Sequence, residues 1–175
     1  MRLGAIAVPL DTNYSARQVA TIVNDSGAKI LFANERLRPV AREALADNAC
    51  AIAPLAPPAP LARLAPTPLA PQAPYAPLAP SSPAAILYTS GTTSDPKGVV
   101  LTHGNLLAER DAAFKVIRVT EDDAILGVLP LFHSLAQLAN LLLPFAVGAR
   151  VVYLETITSA DLLRALSERE ITIFA

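Results

Sequence analysis

The distribution of proline divides this chain into parts that can and cannot form regular secondary structure. Eleven of the sixteen prolines lie between residues 54 and 83, in repeated Ala-Pro and Leu-Ala-Pro units with Arg63 as the only charge. Proline at this density removes backbone donors and prevents helices and central strands, which leaves extended, polyproline-like chain. We therefore expect a linker or a long surface loop. Docking into an aromatic-lined groove is the alternative, but the interleaved leucines and alanines offer no evident specificity residues.

Short apolar runs alternate with helical patterns on both sides of this segment. Such a rhythm is typical of open, mostly parallel sheets covered by helices, so the sequence predicts an α/β fold. The predicted strands are 4–10, 29–33, 84–88, 98–102, 124–132, 149–155 and 171–175, and the predicted helices are 15–27, 39–47, 102–117, 135–148 and 158–170.

The same pattern suggests how the chain is organised. We predict a βαβα segment over residues 1–53, the proline-rich linker over 54–83, and a loop-bearing hairpin with further αβ units over 84–175. The last five residues form a predicted strand with no helix after it. We therefore expect the chain to be an incomplete piece of a larger domain, whose missing remainder or another partner would cover the exposed sheet edges.

Helix boundary signals support three of these predictions. In the first helix, Ser15 is a plausible N-cap, Gly27 marks the C-terminal end, and Val19, Ile22 and Val23 share one face. The helix over 158–170 begins with a capping box from Thr158 to Asp161. For the helix over 102–117, the predicted start lies at Thr102 or Asn105, and the apolar face comprises Leu106, Ala113, Phe114 and Ile117.

Composition argues against several classes of partner. Fourteen Lys plus Arg against fifteen Asp plus Glu give a net charge of -1 without a basic run, so we predict no nucleic-acid partner. Cys50 is the only cysteine, and no His/Cys cluster has zinc-ligand spacing, so we predict no metal ligands and a cytoplasmic location. The charge-free run 125–149 contains two prolines and several polar residues, which favours a buried strand and helix over a membrane span.

Residues 88–100, YTSGTTSDPKGVV, concentrate small, hydroxyl-bearing and cationic residues between two apolar runs. Phosphate oxygens need several donors at once, which a loop of small residues provides through backbone N–H groups and hydroxyls. Lys97 supplies a cation, and Pro96 restricts the backbone just before it. We expect Gly91 and Gly98 to allow close approach or a positive φ. The sequence thus predicts a phosphate-binding loop on a hairpin between two buried strands.

Two other kinds of loop use similar residues. The Walker pattern requires Gly, four residues, then Gly-Lys-Ser/Thr and a helix, whereas here Gly98 follows Lys97 and a strand comes next. A hairpin turn rich in Ser and Thr, without a ligand, is the simpler alternative, because turns use the same residue types.

The loop resembles the nucleotide-binding signature of the adenylate-forming enzymes, the family of acyl-CoA synthetases, peptide-synthetase adenylation domains and luciferases. Ser94 stands where that signature normally has glycine. Residues 4–33 are similar to the family's preceding segment, and residues 129–137, LPLFHSLAQ, resemble its Pro-Leu-Phe-His element, with Ala136 in place of the usual glycine. Residues 149–155 and 171–175 also fit. The resemblance thus covers nearly all of the chain outside the proline-rich segment.

The resemblance implies the fold of the family's N-terminal domain and a two-step ligase reaction. A carboxylate, here predicted to be a fatty acid, would attack the α-phosphate of ATP with Mg²⁺, and coenzyme A would then take the acyl group. Lys97 and His133 are the implied catalytic residues, although a histidine after a buried strand is often a hydrogen-bonded core residue. The implied nucleotide-binding residues are Thr89, Ser90, Gly91, Thr92, Thr93, Lys97 and Gly98.

The resemblance also implies limits on activity. The family's glutamate motif, ribose-binding aspartate, hinge and late lysine lie in later sequence and are not among these 175 residues. We therefore expect this piece to be inactive alone. An adenylation domain for an amino acid or another carboxylate is one alternative function, and a non-catalytic nucleotide-binding or interaction module is another.

Overall fold

The computed structural model describes residues 4–55, 78–89, 96–154 and 157–174. The chain separates into two compact units, the first of residues 1–79 and 83–100 and the second of residues 80–82 and 101–175. The elements in chain order are α1 Ala16–Ser26, β1 Ile30–Ala33, α2 Arg38–Ala44, β2 Ala51–Pro54, β3 Pro83–Thr89, β4 Lys97–Thr102, α3 His103–Ala113, β5 Ala124–Gly127, α4 Ser134–Gln137, a π-helical turn Leu138–Leu142, α5 Leu143–Val147, β6 Arg150–Tyr153, α6 Ser159–Glu168 and β7 Ile173–Phe174.

Helix α1 begins and ends where the sequence predicts. The Ser15 hydroxyl accepts a hydrogen bond from the N–H of Gln18, and the side chain of Gln18 bonds back to the Ser15 backbone, which completes a capping box. Gly27 follows the helix with a φ of 63°, a left-handed conformation that favours glycine. The buried residues of α1 are Val19, Ile22 and Val23. The predicted apolar face is therefore confirmed.

Strands β1 and β2 are connected through helix α2 and pair in parallel, with Ile30 opposite Ala51 and Ala33 opposite Pro54. This crossover confirms the predicted alternation, but β2 itself was not predicted, since only three apolar residues precede the prolines. Cys50, directly before β2, is buried with Val19, Val23 and Leu45. Burial also raises the pKa of its thiol. Cys50 thus fills space in the core of the first unit as a neutral side chain.

The strand predicted over residues 4–10 is wrong in extent. Only one parallel bridge forms there, between Ala7 and Ala85, with hydrogen bonds of 3.0 Å from Ala7 N to Ala84 O and 2.9 Å from Ile86 N to Ala7 O. Pro9 has no N–H for the next bond along β3, so the ladder cannot continue in that direction.

Strands β3 and β4 form a two-stranded sheet, which is the pairing that the predicted hairpin requires. In β3, burial is as predicted, and Ala84, Ala85, Leu87 and Tyr88 are all buried. In β4, the expectation of a buried strand is wrong, because Val99 and Val100 are 47% and 52% exposed. Because neighbouring residues of a strand point to opposite faces, β4 is exposed on both faces in the part of the chain that the structure describes.

The second unit contains a three-stranded parallel sheet in the order β6-β5-β7. All four residues of β5 are buried, as expected for a central parallel strand covered on both faces. The predicted strand over residues 124–132 is too long, since β5 ends at Gly127 and Pro130 lacks the N–H that a central strand needs.

Helix α3 and the segment after His133 differ from their predictions in packing and regularity. Thr102 caps α3 through a capping box with Asn105, but of its predicted apolar face only Leu106 is buried, and Ile117 lies beyond the helix, 45% exposed. The helix predicted over 135–148 is instead two short α-helices joined by a π-helical turn. For α6, the predicted cap is confirmed, since the Thr158 hydroxyl accepts from the N–H of Asp161.

Most of the proline-rich segment, residues 56–77, lies outside the described residues, so the division of the chain at 54–83 stays a prediction. Within the described ranges, no helix is both long and apolar enough to cross a bilayer.

Candidate functional site

Three of the predicted nucleotide-binding residues lie at the two strand ends that flank the signature loop. Thr89 is the last residue of β3, and Lys97 and Gly98 are the first two residues of β4. Thr89 and Lys97 are exposed, as ligand-binding groups must be before a ligand arrives. Residues 90–95, which contain Ser90, Gly91, Thr92, Thr93 and Ser94, lie outside the described residues. The structure thus brings together the two ends of the predicted site.

Tyr88, directly before Thr89, anchors this end of β3 to helix α1. Its hydroxyl donates a hydrogen bond of 2.5 Å to Oδ2 of Asp25 in the last turn of α1. Burial, with a smaller contribution from the hydrogen bond and the charge of Asp25, raises the pKa of Tyr88 to about 12. The phenol therefore stays protonated, and remains a donor, throughout the physiological pH range.

Gly98 packs closely against the side chains of Tyr88 and Ile86. A Cβ at position 98 would lie 3.0 Å from Cζ of Tyr88 and 3.0 Å from Cγ2 of Ile86. The positive φ that the sequence suggested as one reason for a glycine is not observed, since Gly98 is not among the described glycines with positive φ. The structure instead supports the other suggested reason, which is close approach. The groups that approach Gly98 are protein side chains.

Lys97 is placed directly beside this contact. Its side chain is exposed at the start of β4, and among the described residues no carboxylate forms an ion pair with it. The ammonium group is therefore available to an anion from solution, such as a phosphate. Lysine suits this role because its charge is compact and its three donors rotate freely.

His133, the other predicted catalytic residue, belongs to the second unit. It is the N-cap residue of α4 and is exposed, with its ring centroid 4.3 Å from that of Phe132. The interpretation as a buried core histidine therefore does not apply. Gln137, one helical turn later, is buried instead. Its Nε2 donates a hydrogen bond of 2.9 Å to the carbonyl of Leu131.

Two other features of the described residues are a separate cavity and the arrangement of possible metal ligands. A cavity of about 230 Å³ in the first unit lies between the end of α1 and the start of β2, lined by residues that include Lys29, Asp47 and Cys50 but none of the predicted site residues. Within the described part of the chain, no three His, Cys, Asp or Glu side chains converge as metal ligands do.

Asp25 and Tyr88 are the residues that sequence reasoning missed. Asp25 lies in the segment 4–33 and Tyr88 opens the signature, so both were within recognised motifs. Their pairing joins residues 63 positions apart, and one sequence carries no signal for such a contact.

Comparison with known proteins assigns the chain to an enzyme family. A family model for AMP-binding enzymes matches residues 1–175. The chain therefore belongs to the AMP-binding, adenylate-forming enzyme family, as the three sequence motifs indicated.

Relatives within this family include ligases with different named substrates. The chain is 29% identical to the medium-chain fatty-acid–CoA ligase of Escherichia coli, over 98% of this chain and 32% of that protein. It is 34% identical to the mitochondrial malonate–CoA ligase ACSF3 of Homo sapiens, over 85% of this chain and 26% of that protein. A solved benzoate CoA ligase from Burkholderia xenovorans is 27% identical with a TM-score of 0.80, over 97% of this chain and 34% of that one. The chain thus spans about a third of the length of its relatives.

Proposed function

We propose that this chain supplies the phosphate-binding part of an ATP-dependent acyl-CoA ligase. In the complete reaction a carboxylate displaces pyrophosphate from ATP to give an acyl-adenylate, and the thiol of coenzyme A then takes the acyl group and releases AMP. The observation that carries this proposal is the family match over residues 1–175 together with the exposed Lys97 at the start of β4.

The role proposed for Lys97 is electrostatic. Negative charge grows on the pyrophosphate oxygens as the bond to the α-phosphate breaks, so a cation aimed at those oxygens stabilises the transition state. Thr89 and the loop hydroxyls of Ser90, Thr92 and Thr93 would add neutral donors. Gly91 would let the loop backbone approach the phosphates closely, and Mg²⁺ would come with the nucleotide.

We propose His133 as a wall of the carboxylate site and a fatty acid as the substrate class. Leu135 follows His133 by two residues and is 61% exposed, and Phe145 on α5 is 76% exposed, so this helical segment presents apolar side chains outward. An apolar outer face suits an alkyl chain better than a charged amino acid. Because the relatives named above act on fatty acid, malonate and benzoate, the substrate must be tested directly.

Binding of MgATP to the purified 175-residue chain tests the nucleotide site. Isothermal titration calorimetry should detect binding to the wild type and a dissociation constant about tenfold or more higher for Lys97→Ala, since a hydrogen bond to a charged group contributes about 1.5–3 kcal/mol. AMP, which lacks the β- and γ-phosphates, should discriminate little between the two proteins. Lys29→Ala, at a lysine of the same unit that lines the separate cavity, is the matched control.

ATP–pyrophosphate exchange separates binding from catalysis. The 175 residues alone should bind MgATP but give no exchange with octanoate, malonate or benzoate. Exchange with octanoate would show that the later motifs of the family are dispensable. If the wild type fails to bind MgATP at millimolar concentrations, a non-catalytic interaction module becomes the better explanation.

A further inference from the structure

We propose that Asp25 is a positioning residue for Lys97, and that it acts through the ring of Tyr88 and the backbone of Gly98. This inference rests on the proposed function, because it takes the Lys97 ammonium as the group that holds the ATP phosphates. All four residues belong to the first unit, so the chain of contacts lies within one compact body.

The location of Asp25 is not explained by the stability of its own helix. It lies in the last turn of α1, where the carbonyl dipoles make a carboxylate unfavourable, and no basic residue of that turn offsets it. Gly27 already ends the helix in a left-handed conformation. The Asp25 carboxylate instead accepts a hydrogen bond of 2.5 Å from the hydroxyl of Tyr88.

Tyr88 is held at two points. Its hydroxyl is bonded to Asp25, and the hydroxyl-bearing edge of its ring lies against Gly98, so closely that a Cβ there would be 3.0 Å from Cζ and 3.2 Å from Cε1. The side chain as a whole is 8% exposed. A short hydrogen bond to a carboxylate is stronger than one between neutral groups, so it restricts how far the ring can swing away from Gly98.

The contact with Gly98 transmits this restraint to the neighbouring Lys97. The lysine stem is flexible, so the position of its ammonium group depends on how firmly its own backbone is fixed. Fixing a binding group before the ligand arrives removes part of the ordering cost of binding. Asp25 and Tyr88 thus prepare the lysine for phosphate without touching the nucleotide.

Variants of the full 175-residue chain test this inference by calorimetry with MgATP. Tyr88→Phe and Asp25→Ala should each raise the dissociation constant several-fold, because part of the ordering of Lys97 must then occur on binding. Asp25→Asn keeps an acceptor oxygen without the charge and should recover only part of that loss. Tyr14→Phe, at another partly buried tyrosine of the same unit, should leave the affinity within twofold of the wild type.

A double-mutant cycle separates positioning from general stability. If Asp25 acts through Lys97, then Tyr88→Phe should change the affinity less than twofold in the Lys97→Ala background, and AMP binding should be unaffected in either background. Full additivity in the cycle would overturn the inference, as would a Tyr88→Phe protein that melts earlier yet binds MgATP normally. If the wild type does not bind MgATP, that result contradicts the proposed function itself, and with it the positioning role.

Discussion

The hydroxyl of Tyr153 on β6 donates a hydrogen bond to the backbone carbonyl of Asn140 in the π-helical turn. In a regular α-helix this carbonyl would accept from the N–H of residue 144, but that residue is a proline. The helix widens just before it, with Leu143 N–H bonded to the carbonyl of Leu138, five residues back. Tyr153 thus supplies a donor to a carbonyl that has lost its α-helical partner to Pro144.

Gly127→Ala should disrupt this arrangement. Gly127 is paired with Tyr153 across the sheet, and a Cβ at position 127 would lie 2.8 Å from Cδ1 and Cε1 of the tyrosine ring. Because the ring is held by its bond to Asn140, it cannot move aside freely. We expect a loss of about 1–3 kcal/mol in the free energy of unfolding, measured by urea denaturation.

The control for this prediction removes the ring. In a Tyr153→Ala background the added methyl group has room, so Gly127→Ala should cost much less than in the wild type. Equal costs in the two backgrounds would show that the strain does not come from the Tyr153 ring.

Asn140→Leu should leave stability unchanged or increase it by about 1–2 kcal/mol. The Asn140 side chain is fully buried, and neither Oδ1 nor Nδ2 has a hydrogen-bond partner among the described residues. An unpaired buried carboxamide is costly, whereas leucine has a similar shape, fits a helix, and leaves the backbone carbonyl for Tyr153. Thermal unfolding of the wild type and of Asn140→Leu measures this difference in stability.

The contrasting variant Asn140→Ala should be less stable than Asn140→Leu, because it leaves a cavity. If Asn140→Leu instead loses more than 1 kcal/mol, the carboxamide has a partner in solution, such as a buried water molecule.

Gly98→Ala should lower both stability and ATP affinity. The added methyl group would meet Ile86 Cγ2 and Tyr88 Cζ at 3.0 Å, and these atoms lie on two neighbouring side chains of β3. We expect a loss of about 1 kcal/mol or more in unfolding free energy and a several-fold weaker affinity for MgATP. Shortening Ile86 to alanine in the same protein should recover part of the stability, and no recovery would mean that the Tyr88 ring alone causes the strain.

The parts of this fold that could be predicted are those whose causes lie close together in sequence. Helix α1 has its cap, its apolar face and its final glycine within thirteen residues, and all were predicted correctly. The parallel sheets followed from the alternation of strands and helices. Strand β2 was missed because its three apolar residues run directly into Pro54, where the proline-rich composition dominates.

The features that could not be predicted depend on residues brought together by folding. The π-helical turn has a local cause in Pro144, but the donor that satisfies Asn140 comes from Tyr153, thirteen residues away on another element. In the candidate site, the sequence suggested why Lys97 and Gly98 are there, yet the groups that approach Gly98 are the Ile86 side chain and the ring of Tyr88. The Tyr88 hydroxyl in turn bonds to Asp25, a contact that a single sequence does not indicate.

Tyr88→Phe should remove a pH dependence of stability in the alkaline range. In the folded protein, burial and Asp25 raise the pKa of Tyr88 from 10.0 to about 12. The folded state therefore favours the neutral phenol, and this contribution is complete below pH 10, where the unfolded chain is also protonated. It is lost as the pH rises from 10 to 12, because the unfolded chain ionises first. A shift of about two pKa units corresponds to about 2–3 kcal/mol over this interval.

The measurement is the difference in unfolding free energy between wild type and Tyr88→Phe, determined by urea denaturation at several pH values from 8 to 11.5. The pKa of Tyr14 and of Tyr153 is also raised by burial, but both phenols are present in the two proteins and cancel in the difference. The advantage of the wild type should be constant up to about pH 10 and then shrink steadily. An advantage that stays constant through pH 11.5 would mean that the phenol is not held neutral by Asp25, and the positioning role of that carboxylate would lose its electrostatic basis.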